Sequence, residues 1–231
     1  MSFALLIIFM FLAFGLTTLF RRWLDIPTLI AVAIGCAVNA NIFNPLTAPI
    51  VVGPFTFSIE IVLYTLFMYT LIVRILDYGY KASKVMTFTS VAAIIISAFI
   101  ELMAVLMKDG FTLEAFKAFS IYLFSSIGTI IGTWVMVWIT IKCRQKKISA
   151  YLIIPFAIIA SSIIHSIFFY GGVALVNWQI GIYTAYDALG TVIGKAVCIL
   201  LSIFCYFINK KFWIPLNLVA KEETNIDNEN D

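Results

Sequence analysis

A lysine, Lys195, stands near the middle of YDALGTVIGKAVCILLSIFCYF (186–207), an apolar run long enough to cross a bilayer. An ammonium at that depth costs roughly 2.5–3.5 kcal/mol on insertion scales, so it calls for a partner or a ligand. Asn39, Asn41, Glu60, Glu101, His165 and Asp187 also fall within or at the ends of apolar runs. Together these side chains could bind a polar solute, relay a proton or pair with one another. Asp187 and Lys195 are eight positions apart, about 12 Å along a helix, so they form no direct pair within it. A ligand or a water chain could bridge them, and Glu60 or Glu101 is an alternative ionic partner for the lysine. Phe168 or Phe169 could supply a face on which a flat ring stacks.

Each of these residues also has a plainer explanation. Glu60 and Asp187 could be interfacial groups in contact with water, and Glu101 could be solvated near a helix end. Asn39 and Asn41 could cap a helix close to Pro45. A lone histidine such as His165 is often an interhelical hydrogen-bonding group. Lys195 is the hardest to explain this way, because a lysine snorkels to water only from near a helix end.

Composition decides what carries these residues. The chain of 231 residues is 63% hydrophobic and only 12% charged, against about 25% charged in soluble domains. That identifies an integral membrane protein. The apolar runs are long, without the ten-residue alternation of barrel strands, so the fold class is all-α, a polytopic bundle of about six or seven spans. Seven runs of suitable length lie at roughly 2–20, 27–44, 55–76, 85–107, 117–141, 149–170 and 184–208. The second is the weakest, fenced by Pro27, Pro45 and Pro49. The first has neither a basic leader nor a small-residue cleavage site, which predicts a retained helix. Residues 1–213 form one membrane domain, and the acidic, polar 214–231 reads as a disordered cytoplasmic tail.

Basic residues orient the bundle. Arg21, Arg22, Arg74, Lys81, Lys84, Lys142, Arg144, Lys146, Lys147, Lys210, Lys211 and Lys221 all fall by the loops on one side, leaving Lys108 and Lys117 on the other. This places the N-terminus outside and the C-terminus in the cytoplasm. The polar residues within the spans then gather in the outer half or near the midplane, as a cleft opening outward would require. Gly128 with Gly132, and Gly190 with Gly194, are GxxxG pairs. Their spacing suits close helix packing within the chain, with a homodimer as the alternative. Trp23, Trp178 and Trp213 lie at run ends, as belt residues do.

Several classes are excluded or left unsupported. No GxxxxGK[ST] loop is present, so the chain does not hydrolyse ATP by that route. Neither HExxH nor GxSxG occurs, and Cys36, Cys143, Cys198 and Cys205 show no paired spacing. The expectation is a protein that is not an enzyme and holds no metal or cofactor. The net charge of +3 follows from the basic loops and predicts no nucleic-acid partner.

The order of features resembles the VUT family of queuosine-precursor transporters. The likeness runs from about residue 1 to 213. It rests on NANIF (39–43) followed by a loop ending in GPFTF, on LFMYTLIVRILDYGYKAS (66–83), on ASSIIHSIFF (160–169) and on TVIGKAVCILL (191–201). The last of these aligns a membrane-embedded lysine with Lys195. Two departures stand out: the family carries an aspartate where this chain has Thr70 to Ile72, and another in the sixth helix where this chain has His165.

The resemblance implies a multi-pass importer in a bacterial inner membrane, taking up a 7-deazaguanine such as preQ0, preQ1 or queuine. Its partners would be the small-molecule substrate and the lipid bilayer, with a homodimer or an ATPase coupling module as further alternatives. Asn39, Asn41, Glu60, Glu101, His165, Phe168, Asp187 and Lys195 are the candidate substrate-binding residues. A substrate-capture subunit of an energy-coupling-factor vitamin importer, or a membrane scaffold without transport, are the competing readings.

Overall fold

In the computed structural model the described residues are 50–52, 55–57, 59–177 and 185–212, with the single helical positions 8, 12 and 35. Apart from those three positions the first two expected spans lie outside the described residues, as do Asn39, Asn41 and the 214–231 tail.

The described chain is helical except for one small hairpin. Strands β1 (Ile50–Val52) and β2 (Phe55–Phe57) pair antiparallel, with Ile50 opposite Phe57 and Val52 opposite Phe55. The expected span at 55–76 is thus corrected at its start, where three residues are strand. The local cause is legible: β-branched and aromatic residues flank Gly53-Pro54, and the residue before a proline is driven away from helical angles. Four helices follow: α1 (Ile59–Asp109), α2 (Leu113–Gln145), α3 (Ala150–Asn177) and α4 (Ala185–Phe212).

The spans expected at 55–76 and 85–107 belong to the single stretch α1, which is broken only at Gly79 (φ 74°, ψ −155°). Such angles are open to glycine and strained for any residue with a Cβ. In the first limb of α1, before Gly79, every residue from 61 to 75 is buried. Its apolar side chains point in all directions, as befits a helix enclosed by others. Thr65 and Thr70 spend their hydroxyls on the carbonyls of Ile61 and Leu66, at 2.7 and 2.8 Å, and so enter the core satisfied. Beyond Gly79 a narrow stripe of Ser90, Ala93, Ile94 and Ser97 is buried while Phe88, Ile96 and Phe99 are exposed.

Short connections make α2 and α3 antiparallel neighbours, and α1 touches α2, α3 and α4. Helix α2 starts at Thr112, whose hydroxyl accepts from the Ala115 N–H at 3.1 Å. It ends in a Schellman motif: Ile148 N–H bonds Cys143 O and Lys147 N–H bonds Arg144 O, with Lys147 itself at φ 55°.

Three segments are long and apolar enough to cross a membrane: Ala115–Gln145, Ala150–Val176 and Leu189–Ile208. Two shorter apolar helices, Ile61–Leu76 and Thr87–Ile100, fall within α1. The outward faces are apolar at helical spacing. On α3, Leu152, Phe156, Ile159, Ile163 and Ile167 are exposed; on α4, Leu189, Val192, Ile193, Val197, Leu200 and Phe204. A helix with an apolar outer face and an apolar inner face has no polar side to give to water.

Candidate functional site

The α2–α3 seam fixes the helix that carries most of the site. Small residues let the two helices close on each other: a Cβ at Gly132 would stand 2.7 Å from Ser161 Oγ, and one at Gly128 2.8 Å from Phe168 Cβ and 3.3 Å from the His165 backbone. As the contacts step forward along α2 they step back along α3, which is the antiparallel register. This is close packing within the chain at the first GxxxG pair.

The register delivers His165 to α2. Ser125 Oγ and His165 Nε2 share a hydrogen bond of 3.1 Å, a buried polar pair that fixes the imidazole. One turn inward, the hydroxyls of Ser161 and Ser162 on α3 and Thr133 on α2 are buried and make no hydrogen bond among the described residues. The imidazole is also held by rings. The Tyr64 ring lies 4.9 Å from it, centroid to centroid and tilted by 37°, and the Phe169 ring stacks at 6.1 Å with 10° between planes. Tyr170 meets Phe169 edge-on at 5.3 Å.

Against this wall α4 brings Lys195. Its Nζ donates to Ser166 Oγ at 3.3 Å across the α3–α4 boundary. Lys195 and His165 are each 8% exposed, so both belong to the interior. Between them opens a cleft of about 60 Å³, several times the ~10–15 Å³ that one water needs. Helix spacing explains its lining. Ile61 and Tyr64 come from one face of α1, His165, Ser166, Phe169 and Tyr170 from successive turns of α3, and Thr191 and Lys195, one turn apart, from α4. All three helices contribute from the same end of the bundle, opposite the Arg144–Lys147 turn between α2 and α3.

Of the sequence candidates, His165 and Lys195 meet in this cleft. Phe168 packs towards Gly128 on α2, and its neighbour Phe169 lines the cleft instead. Glu60 lies in the first turn of α1, Glu101 in its second limb and Asp187 in the first turn of α4. The side chains of these three acids are outside the described residues, as are Asn39 and Asn41 altogether.

The chain matches no family model, no curated protein and no solved structure.

Tyr64, Ser125, Ser166, Tyr170 and Thr191 were not among the sequence candidates. Thr191 and Phe169 carried a usable signal, since each stands four residues from a candidate, Lys195 and His165 respectively. Ser125 and Tyr64 carried none, because nothing in one helix says which residue of another will face it. Chemically, the described lining supplies an ammonium, an imidazole and several hydroxyls beside aromatic faces. That is a set suited to holding the polar edge of a flat ring.

Proposed function

We propose that this chain is a membrane importer of a small, flat, polar solute, most specifically a 7-deazaguanine precursor of queuosine. The observation that carries the reading is the cleft in which Lys195, held by Ser166, faces the aromatic wall of Tyr64, Phe169 and Tyr170. A buried ammonium is costly enough that a ligand acceptor is a good reason to keep one. Aromatic faces offer a planar heterocycle stacking area, and the hydroxyls of Ser166 and Thr191 can orient its edge.

The likeness of residues 191–201 and 160–169 to the VUT family supports the same substrate class. In this reading the chain crosses the bilayer six or seven times, N-terminus outside, and the cleft opens outward. The apolar outer faces of α2, α3 and α4 lie against lipid tails. The protein works as a transporter without chemistry of its own, and alternating access carries the solute inward.

The test is uptake of labelled preQ0, preQ1 and queuine by bacterial cells that lack their own route, with and without this protein. Stimulated uptake of at least one, lost in Lys195→Ala, is expected. No stimulation by any of the three would sink the substrate assignment.

A further inference from the structure

We infer that the turn between α2 and α3 holds the headgroup of an acidic phospholipid, its phosphate on Lys142, Lys146 and Lys147 and its acyl chains along the outer face of α2. The inference goes beyond the solute reading of the cleft. It concerns the opposite end of the bundle and rests only on α2 crossing a bilayer.

Helix length sets the depth of the turn. The apolar segment Ala115–Gln145 has 31 residues, about 45 Å of helix, which matches a bilayer together with its headgroup layers. The last turn of a spanning α2 therefore lies among headgroups. The outward face of α2 carries Leu123, Ile131, Trp134 and Trp138, all exposed. Lys142 continues this face one turn beyond Trp138 and is exposed, as are Lys146 and Lys147. Along α2, aliphatic surface thus gives way to indoles and then to ammonium groups. A phospholipid presents its chains, glycerol and phosphate in the same order.

These charges are not spent on the helix end itself. The last carbonyls of α2 already accept backbone N–H groups: Lys142 O from Lys146, Cys143 O from Ile148 and Arg144 O from Lys147. Nor does the segment supply counter-charges, since no aspartate or glutamate occurs between Glu114 and Asp187. Arg144 is turned away, its guanidinium against Gly79 of α1, which pins the turn to the bundle. Lys147 stands at φ 55°, where glycine costs less, and a lysine kept there points to a use for its side chain.

One effect competes with this reading. The partial negative charge of a helix C-terminus also attracts lysines. The lipid tells the two apart: the dipole acts in any bilayer, whereas a site for a net negative headgroup fills only in an acidic one.

The experiment reads by native mass spectrometry which lipids the full-length chain keeps. The chain is extracted with mild detergent from vesicles of equal parts phosphatidylglycerol and phosphatidylcholine. Phosphatidylglycerol should be kept at least about tenfold over phosphatidylcholine. The preference should vanish in the Lys142→Gln/Lys146→Gln/Lys147→Gln variant and persist in Lys210→Gln/Lys211→Gln, which loses two charges at the end of α4. Should the triple variant fail to fold, the three single changes should each lower the preference. Equal retention of both lipids by the unaltered chain overturns the inference, as does a preference that survives all the changes in the turn. Loss of the preference in the Lys210→Gln/Lys211→Gln variant overturns it too, because the attraction is then diffuse. Displacement of the lipid by millimolar inorganic phosphate also overturns it and assigns the lysines to a soluble anion.

Discussion

Lys195 Nζ donates a hydrogen bond to Ser166 Oγ, 3.3 Å away across the boundary between α4 and α3. The contact joins the one lysine that lies deep in an apolar run to the residue directly after His165. It therefore ties the ammonium and the imidazole to a single turn of α3.

Removing the hydroxyl should loosen this arrangement without emptying the cleft. Ser166→Ala should weaken binding of 7-cyano-7-deazaguanine by roughly fivefold, about 1 kcal/mol, the net worth of an ordinary hydrogen bond. Ser166→Thr, which keeps the hydroxyl, should restore most of it. Equilibrium binding in nanodiscs reads both. An unchanged affinity in the alanine variant would mean that Ser166 does not position the lysine.

The α2–α3 seam gives a comparison between two glycines. A Cβ at Gly132 would meet Ser161 Oγ at 2.7 Å and Ser161 O at 3.0 Å, so Gly132→Ala must push the helices apart. Overpacking of this kind costs about 1–3 kcal/mol. Gly171, on α3, has nothing within 4 Å of the same built atom. Gly171→Ala should therefore be neutral or stabilising by up to about 1 kcal/mol through helix propensity. Thermal unfolding of the two variants in detergent, followed by circular dichroism, should separate them in opposite directions.

Gly79 joins two demands in one residue. Its φ of 74° suits glycine, and a Cβ there would stand 2.6 Å from the Arg144 guanidinium. Gly79→Ala should lower stability by about 1–3 kcal/mol from backbone strain alone. Adding Arg144→Ala should return the steric part and leave the strain, so in a double-mutant cycle on unfolding free energies the double variant should be less destabilised than the sum of the two single variants.

Lys147 presents the reverse case. It holds the left-handed position of the Schellman turn after α2, at φ 55°, where glycine is the usual occupant. Lys147→Gly should raise stability by up to about 1 kcal/mol, measured by the same melt. A loss of stability would mean that the lysine side chain contributes more than its backbone costs.

Several features of the fold could be read from residues alone. The low charge and the long apolar runs announce helices of spanning length, and α2, α3 and α4 are such helices. Glycines at 128 and 132 announce a close approach. The strand at 55–57 was hidden at the start of an apolar run, since β-branched and aromatic residues suit strand and buried helix alike. The joining of two expected spans through Gly79 was hidden as well, because a glycine reads equally as a loop residue or as a kink.

The site was legible only in part, for a physical reason. In a soluble helix the polar face marks the outside, so a polar residue on the apolar face is conspicuous. Here both faces of α3 and α4 are apolar, and the hydrophobic pattern cannot say which way Phe168 and Phe169 point. The α2–α3 register decides it: Phe168 fills the space over Gly128, and Phe169, about 100° round the helix, falls to the cleft.

What the sequence by itself determined is the kind of element and the presence of a charge that needs a reason: helices of spanning length, with Lys195 deep within one. Those follow from transfer free energies, which depend on residue type and run length. Only the tertiary structure decided that Lys195 meets Ser166, that His165 meets Ser125 and that Tyr64 stands over the imidazole. Such meetings depend on helix crossing and register, and those are set jointly by side chains far apart along the chain.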